Sequence, residues 1–217
     1  MIRTVDLDEA HAEVGAVFLP HRVEVLERAA ELDMQLNALR LGAVTAGYLR
    51  YGPKIRTLTV EASNYHVNLP LTGTTRSRSG LREPVESTPR RPAVFMPRAP
   101  ADIMWSAGST QLCLMLERGV VDRELEKLLG HPLPRPLEFA VAMDLTTGAA
   151  STWLTALDVL QREADRPDGM LRFPAAAGHL EGLVIHGLLL GHRHNYSEEL
   201  RRGAAAPDRG WFARRWS

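Results

Sequence analysis

Cysteine and lysine are scarce in this sequence. Cys113 is the one cysteine, so the chain cannot form an internal disulfide, and its apolar neighbours in residues 111–116 predict a buried strand thiol. The two lysines are Lys54 and Lys127, and neither belongs to a Gly-x-x-x-x-Gly-Lys loop; a Gly-x-Gly-x-x-Gly sequence is also missing. We therefore expect a reducing compartment, the cytoplasm, and no nucleotide cofactor.

Net charge and long hydrophobic runs are missing as well. The 26 basic and 26 acidic residues balance, so no overall positive field draws the chain to nucleic acid or to an anionic membrane. The most apolar run, residues 183–190, is far shorter than the roughly 20 residues that cross a bilayer. Residues 1–9 carry acids where a signal peptide needs a basic and then an apolar segment. We expect a protein without membrane contact that does not itself bind DNA sequence-specifically.

Short β-rich runs broken by turn residues occupy the chain from residue 34 to residue 116. Within residues 65–71 the apolar side chains fall two apart, so one strand face is buried while His66 and Asn68 point the other way, and Pro70 belongs at an edge or bulge. Many short strands with evenly spaced turns favour a barrel or sandwich. The strand candidates are residues 37–44, 54–61, 65–71, 93–96 and 111–116.

After residue 116 the apolar period changes from two to that of a helix. The first helix is predicted to end at Leu129, because Gly130 followed by Pro132 supplies a cap and a stop. The proline-rich residues 131–136 predict an extended connector. A second helix, capped by a threonine at 146 or 147, ends before residue 167, and Pro174 begins a third.

The third helix combines apolar residues with glycines on one face. Glycines lower helix propensity, but the missing side chains let another helix approach closely. We interpret this face as a dimerisation surface, and the alternative is that the helices simply cover the open end of the barrel. The residues of this face are Leu180, Leu183, Val184, Gly187, Leu188 and Gly191.

Residues that could carry catalysis or hold a metal are few. The strand region contains one histidine, His66, whereas a catalytic metal site needs several ligands of this type close together. His192 and His194 follow a helical run in which residues two apart diverge, so they predict a polar helix end. Cys113 lies in an apolar run and no Gly-x-Ser-x-Gly elbow occurs. We expect no catalytic residue, no bound metal and no enzyme activity.

A binding pocket for a small molecule needs concave apolar walls with a few polar groups. The predicted strands offer both kinds of side chain. Our candidates for the pocket are Tyr65, His66, Asn68, Met104 and Trp105.

The order of several short motifs resembles the AraC-binding-like domain found at the N-terminus of AraC/XylS-type transcriptional regulators. The motifs cover about residues 15–200 in the right order. They are Tyr65-His66-Val67-Asn68-Leu69-Pro70-Leu71-Thr72-Gly73, Leu128-Leu129-Gly130, Pro136-Leu137-Glu138-Phe139, Leu180-Glu181-Gly182-Leu183, Leu188-Leu189-Leu190 and His194-Asn195-Tyr196.

This resemblance implies an α+β fold in which a cupin-like antiparallel β-barrel is followed by a helical dimerisation segment. It implies an effector-binding barrel with an N-terminal extension in residues 1–116 and helices in residues 117–200. The Arg- and Trp-containing tail in residues 201–217 departs from the family; we expect it to be disordered, and it is too short for a helix-turn-helix unit. The expected partners are a small-molecule effector and a second copy, or a full-length AraC-type regulator. A small cupin-like metal-dependent enzyme and a degenerate regulator remnant are the alternatives.

Overall fold

The computed structural model describes residues 1–27, 30–146 and 148–203, and its strands precede most of its helices. In chain order the strands are β1 (Ile2–Thr4), β2 (His21–Val25), β3 (Met34–Leu41), β4 (Val44–Arg50), β5 (Ile55–Thr59), β6 (Tyr65–Thr72), β7 (Thr75–Ser79), β8 (Val85–Ser87), β9 (Ala93–Phe95), β10 (Ala101–Trp105) and β11 (Thr110–Leu116). The helices are α1 (Leu7–Val17), α2 (Arg118–Leu129), α3 (Gly148–Ala164), α4 (Pro174–Gly191) and α5 (Ser197–Gly203), and a short 3-10 turn spans Met170–Arg172.

The strands pair antiparallel into two sheets. The six-stranded sheet has the order β1-β3-β4-β11-β6-β9, and the five-stranded sheet has the order β2-β5-β10-β7-β8. The α+β class and the antiparallel strand pairing are as expected from the sequence. The hydrogen-bonded ladders stay separate, however, so the expected barrel consists of two facing sheets that are not closed into one ring.

The space between the two sheets is filled by alternate side chains of facing strands. Leu49 and Cys113 of the six-stranded sheet share one buried cluster with Ile55, Ile103 and Trp105 of the five-stranded sheet. Each large apolar side chain buried in this way stabilises the fold by about 1.5–3 kcal/mol. The interior between the sheets is therefore one hydrophobic core.

The opposite face of the six-stranded sheet packs against the helices. Val67 of β6 and Leu114 of β11 belong to a second buried cluster together with Trp153 of α3 and Leu188 of α4. Since His66 on the interior face is also buried, β6 is covered on both faces. The expectation that residues 65–71 form a half-buried strand was therefore wrong.

The first 25 residues are an integral part of both sheets. Strand β1 pairs with β3, and β2 pairs with β5 along its whole length. Helix α1 begins after Asp6, whose carboxylate accepts a hydrogen bond from the Glu9 amide at 2.8 Å. The N-terminal segment is thus structural rather than an extension of a strand region that starts at residue 34.

A tight turn divides the strand that the sequence predicts at residues 37–44. Gly42 has φ +57°, a conformation that favours glycine, and it reverses the chain between β3 and β4. The amide of Ala43 donates a hydrogen bond to the Glu181 carboxylate of α4 at 2.7 Å. Helix α4 is therefore tied to this turn of the sheet.

The predicted helix ends agree with the structure. Helix α2 ends at Leu129, and Gly130 has φ +80° as its left-handed cap. Helix α3 ends at Ala164, and α4 begins at Pro174. Arg201 lies in α5, whereas residues 204–217, which carry most of the predicted tail, lie outside the described residues. Within the described ranges, the helices lack the combined length and hydropathy that a membrane crossing requires.

The proline-rich connector is held in place by residues of the His194-Asn195-Tyr196 motif. The Tyr196 hydroxyl donates to the Arg135 carbonyl at 2.6 Å and accepts from the Arg135 amide at 3.0 Å. The Asn195 side chain accepts from the Glu138 amide and donates to the Pro136 carbonyl, each at 2.9 Å. These contacts satisfy backbone groups that the connector cannot pair within itself.

Candidate functional site

A cavity lies between the two sheets, and α1 with the segment after it contributes to its wall. Its free space measures about 60 Å³, which has room for several water-sized spheres but is less than half of the roughly 150 Å³ cavity that holds benzene. Most of the lining is apolar or aromatic. The lining residues are Val14, Phe18, Leu19, His21, Leu49, Tyr51, Thr57, Thr59, His66, Asn68, Phe95, Ala101, Ile103, Trp105, Cys113 and Leu114.

His66 brings an unpartnered polar group to this cavity. It lies on β6 opposite Phe95 of β9, and only 8% of its surface is exposed. Its Nε2 atom has no hydrogen-bond partner among the described residues. Burial lowers the pKa of His66 to about 4, because the charged imidazolium would lose its hydration. At neutral pH the ring is uncharged and can donate one hydrogen bond and accept another.

The other titratable groups of the wall are uncharged near neutral pH as well. His21 donates from Nδ1 to the Leu19 carbonyl at 3.3 Å, so its Nε2 accepts from the Tyr51 hydroxyl at 2.9 Å. Burial lowers the pKa of His21, raises that of Tyr51, and raises the pKa of Cys113 to about 12. The cavity therefore presents neutral groups throughout.

Aromatic and hydroxyl groups fix the five-stranded side of the cavity. The Trp105 indole nitrogen donates to the Thr57 hydroxyl at 3.1 Å, and the Tyr51 ring meets the Trp105 ring edge to face at 5.3 Å between centroids. The Thr59 hydroxyl accepts from the Ala101 amide at 2.8 Å. Since these polar groups already have partners, this part of the wall is apolar in character.

The structure brings three of the five predicted pocket residues into the cavity wall, namely His66, Asn68 and Trp105. Tyr65 lies on the opposite face of β6, where its hydroxyl donates to the Asp122 carboxylate of α2 at 2.9 Å. Met104 lies on the outer face of β10, next to Trp105 in sequence and therefore on the other side of the sheet. Neighbouring residues of a strand cannot both face the interior, so Tyr65 and Met104 fall outside this site.

Several wall residues come from segments that the sequence interpretation left without a role. Phe18 follows α1, His21 begins β2, and Tyr51 follows β4. The alternation of Val23 and Val25 with polar residues is a strand signal that could have placed β2. The pairing of β2 with β5 is a long-range contact, and no local pattern predicts it.

The face of α4 predicted to form a dimer is divided between two environments. Val184 and Leu188 are fully buried in the core of this chain. A Cβ atom at Gly187 would lie 2.2 Å from Cδ1 of Trp153, and Gly191 packs against the backbone of Ala150. These glycines therefore serve the close approach of α3 and α4 within one chain.

Two leucines of α4 remain open to solvent. Leu183 is 51% and Leu190 is 54% exposed, and their spacing of seven residues places them on one side of the helix. Leu180 is partly buried against the core. The solvent-exposed surface of α4 is thus smaller than the dimerisation face that the sequence predicts.

His192 and His194 do not form the polar helix end that the sequence predicts. Both are buried beside Phe139, His192 stacked at 5.5 Å and His194 edge-on at 5.4 Å between ring centroids. They donate from Nε2 to the carbonyls of Ala140 and Leu189 at 2.7 and 2.8 Å. Within the described ranges, no three His, Cys, Asp or Glu side chains come together as a metal site.

The AraC-binding-like domain family matches residues 10–190. The match spans every strand except β1, the residues that line the cavity, and helices α2 and α3 with nearly all of α4. The chain therefore belongs to the AraC-binding-like domain family.

Among known proteins, the chain is similar to the probable thc operon regulatory protein of Rhodococcus erythropolis, with 29% identity over 199 residues. The similar region covers 90% of this chain and 60% of that protein, so the chain spans less than two thirds of the length of this relative. Among solved structures, the AraC-like transcriptional activator CuxR shares the fold, with a TM-score of 0.64 at 11% identity over 88% of this chain and 70% of CuxR. The cupin domain of Schizosaccharomyces pombe Cnp3 matches 48% of this chain and 74% of that domain, with 8% identity. The TM-score of this match is 0.35, which is too low to establish a shared fold.

Proposed function

We propose that this chain is the effector-sensing domain of an AraC-type transcriptional regulator and that it acts in the cytoplasm. The observation that carries the proposal is the cavity between the two sheets, in a chain of the AraC-binding-like family. Residues 1–116 provide the effector-binding sheets, and residues 117–200 provide the helices. The similarity to a probable operon regulatory protein and to the fold of a transcriptional activator supports this role.

The chemistry of the cavity favours ligand binding over catalysis. A general acid or base works best when its pKa lies near the working pH, and a thiol nucleophile must ionise. Here burial lowers the pKa of His66 to about 4 and raises the pKa of Cys113 to about 12. Both groups are held in forms that form hydrogen bonds or pack, which supports a sensor without enzyme activity.

The six-stranded sheet supplies the route from the cavity to the helices. On β6, His66 and Asn68 face the cavity, whereas Val67 and Leu69 belong to the buried cluster shared with α3 and α4. A ligand that contacts His66 or Asn68 therefore acts on a strand whose other face supports the helices. An effector that binds one arrangement of this strand more tightly shifts the population of helix arrangements.

We propose that the exposed leucines of α2 and α4 bind a partner chain. We name Leu128, Leu183 and Leu190 the leucine surface; they are 40%, 51% and 54% exposed. The Glu124 carboxylate of α2 pairs with His186 of α4 at 2.9 Å, one helical turn before Leu128 and Leu190. Burial of these three side chains against a partner would remove apolar surface from water and so favour association.

The partner we propose is a second copy of this chain or the corresponding surface of a full-length AraC-type regulator. The described residues do not themselves read DNA in this proposal. DNA sequence is recognised by the helix-turn-helix unit of the assembled regulator. The effector state of the cavity reaches DNA through the way in which the helices pair.

Light scattering tests the association directly. We expect a dimer for the wild-type protein and a monomer for the double variant Leu183→Glu, Leu190→Glu, because two carboxylates cannot be buried unpaired in an interface. Leu81→Glu is the matched control, since Leu81 is fully exposed on the turn between β7 and β8. A wild-type protein that stays monomeric both alone and mixed with a full-length AraC-type regulator from the same cell would falsify the partner role.

A further inference from the structure

Among the described residues, several polar side chains between the sheets have no hydrogen-bond partner. The unpartnered atoms are Nε2 of His66, both amide atoms of Gln111 and the hydroxyl oxygen of Ser87. All three residues are buried. Buried donors and acceptors are nearly always paired in folded proteins, so each of these positions calls for a ligand or water.

Three polar residues lie together on the interior face of the six-stranded sheet. His66 and Asn68 are two residues apart on β6 and face the cavity. Gln111 lies on the adjacent strand β11, two residues from Cys113, which also lines the cavity. Because side chains alternate along a strand, Gln111 shares this face with Cys113. Gln111 lies opposite Pro70 and is not among the lining residues, so His66 and Asn68 are the polar side chains that β6 brings to the cavity wall.

The described part of this wall contains no charged side chain. Of the described residues that line the cavity, none is Lys, Arg, Asp or Glu. Burial keeps His66, His21 and Cys113 uncharged at neutral pH. A carboxylate or ammonium group entering the cavity would lose its hydration without gaining an opposite charge.

We infer that the cavity binds a small uncharged molecule with an apolar body and one hydrogen-bonding head, such as an amide or a hydroxyl group, that pairs with His66 and Asn68. The inference rests on the proposed sensor function and specifies the chemistry of its effector. A neutral imidazole and an amide can each donate and accept hydrogen bonds, so they match a ligand group that also does both. The free space of about 60 Å³ is less than half of the roughly 150 Å³ cavity that holds benzene, so one ring is the largest body the site can take, and it requires the wall to move.

Thermal unfolding in the presence of matched probes tests the ligand class. The uncharged probes are benzamide and benzyl alcohol, and the charged probes of similar shape are benzoate and benzylammonium, all used near neutral pH. We expect the uncharged probes to raise Tm with increasing concentration, because they bind the folded state alone. We expect benzoate and benzylammonium to leave Tm unchanged.

Two variants localise the binding. His66→Leu and Asn68→Leu each remove one polar partner, and we expect both to abolish the Tm shift produced by benzamide. Asn68 is partly exposed, so its replacement keeps the test informative if His66→Leu fails to fold. His179→Leu is the control, because His179 is exposed on α4 and should leave the benzamide shift intact.

Three results overturn the inference. They are a Tm shift by benzoate or benzylammonium as large as that of benzamide, a benzamide shift that persists in both cavity variants, and a panel in which no uncharged probe binds. The leucine-surface experiment is independent of these outcomes. A dimer without probe binding overturns the ligand class alone, whereas a monomer that binds benzamide overturns the partner role alone.

Discussion

Gly187 gives Trp153 the space that its indole ring occupies between α3 and α4. The indole nitrogen donates to the Val184 carbonyl at 2.9 Å, and the ring is almost fully buried. A methyl group at residue 187 would lie 2.2 Å from the ring. Gly182 of the same helix has open space around its Cα atom, so a methyl group there meets no other atom.

We expect Gly187→Ala to lower the free energy of unfolding by about 1–3 kcal/mol, because the ring and the backbone must shift to avoid the overlap. Gly182→Ala is the matched control and should raise stability by about 0.5–1 kcal/mol through helix propensity. Urea denaturation of both variants measures the difference. Equal stability of the two variants would show that Gly187 does not serve helix packing within the chain.

Tyr65 distinguishes the two faces of β6. Its hydroxyl donates to the Asp122 carboxylate at 2.9 Å, so Tyr65→Phe should lower the free energy of unfolding by about 1.5–3 kcal/mol, the range for hydrogen bonds to charged groups. The benzamide Tm shift should stay unchanged, since Tyr65 does not line the cavity. Denaturation and thermal shift assays measure the two effects separately. Loss of the benzamide shift in a folded Tyr65→Phe protein would place Tyr65 in the site after all.

The residue pattern of the cavity was predictable only in part. The alternation in residues 65–71 places His66 and Asn68 on one face, and both line the cavity. Because side chains alternate along a strand, Met104 and Trp105 cannot both face one pocket. Residue type alone does not take this alternation into account. Which of the two faces the interior depends on the pairing of β10 with β5 and β7, which a single strand does not reveal.

Helix α4 and the turn between β3 and β4 act as one unit through Glu181. The carboxylate accepts the Ala43 amide at 2.7 Å beside Gly42. The contact joins residues that are 138 positions apart in the chain. This hydrogen bond fixes the position of α4 along the six-stranded sheet.

We expect Glu181→Ala to lower the free energy of unfolding by about 1–3 kcal/mol, because the Ala43 amide, on a buried residue, loses its partner. Glu181→Gln keeps an acceptor oxygen and should retain most of the stability. Hydrogen exchange at the Ala43 amide should accelerate in the alanine variant and much less in the glutamine variant. Identical exchange in both variants would argue against this contact as the anchor of α4.

Elements with strong local signals were predictable, and elements that depend on partners were not. Gly130 and Pro174 mark a helix end and a helix start by backbone chemistry alone, and both predictions are confirmed. Strand β1 has only three residues, and β2 has a single fully buried residue, Val23. The strand character of β1 comes from its pairing with β3, and its sequence pattern is too weak to assign it. The alternation of Val23 and Val25 indicates a strand at β2 but does not predict its pairing with β5.

Buried histidines link the stability of the whole molecule to pH. Burial lowers the pKa of His66 and of His192 to about 4, and it also lowers the pKa of His194 and of His21 from the usual 6.5. The unfolded chain therefore binds more protons than the folded chain at pH values between about 4 and 6.5. Stability is complete above pH 6.5 and is lost as the pH falls through this window.

We expect the free energy of unfolding to fall between pH 6.5 and pH 4.5, with a contribution from His192 of at most about 3 kcal/mol over its full shift. His192→Gln keeps a donor near the Ala140 carbonyl but cannot be protonated, so its profile should be flatter. Urea denaturation at several pH values and constant ionic strength measures both profiles. The lowered carboxyl pKa values at Asp102 and Glu124 also reduce stability at the acid end of this window, so the difference between the two profiles reports the contribution of His192. A wild-type profile that is level from pH 6.5 to 4.5 would contradict the prediction.

In one strand of the six-stranded sheet, alternate residues contribute to two different parts of the molecule. On β6 the even-numbered residues His66 and Asn68 belong to the cavity, and the odd-numbered residues Val67 and Leu69 belong to the helix side. Under the proposed function, substitution at the even positions changes which molecule is sensed while the residues that contact the helices stay the same. Related proteins can therefore evolve to bind new effectors while keeping the same partner, because substitutions at alternate positions of one strand affect the cavity and the helix side separately.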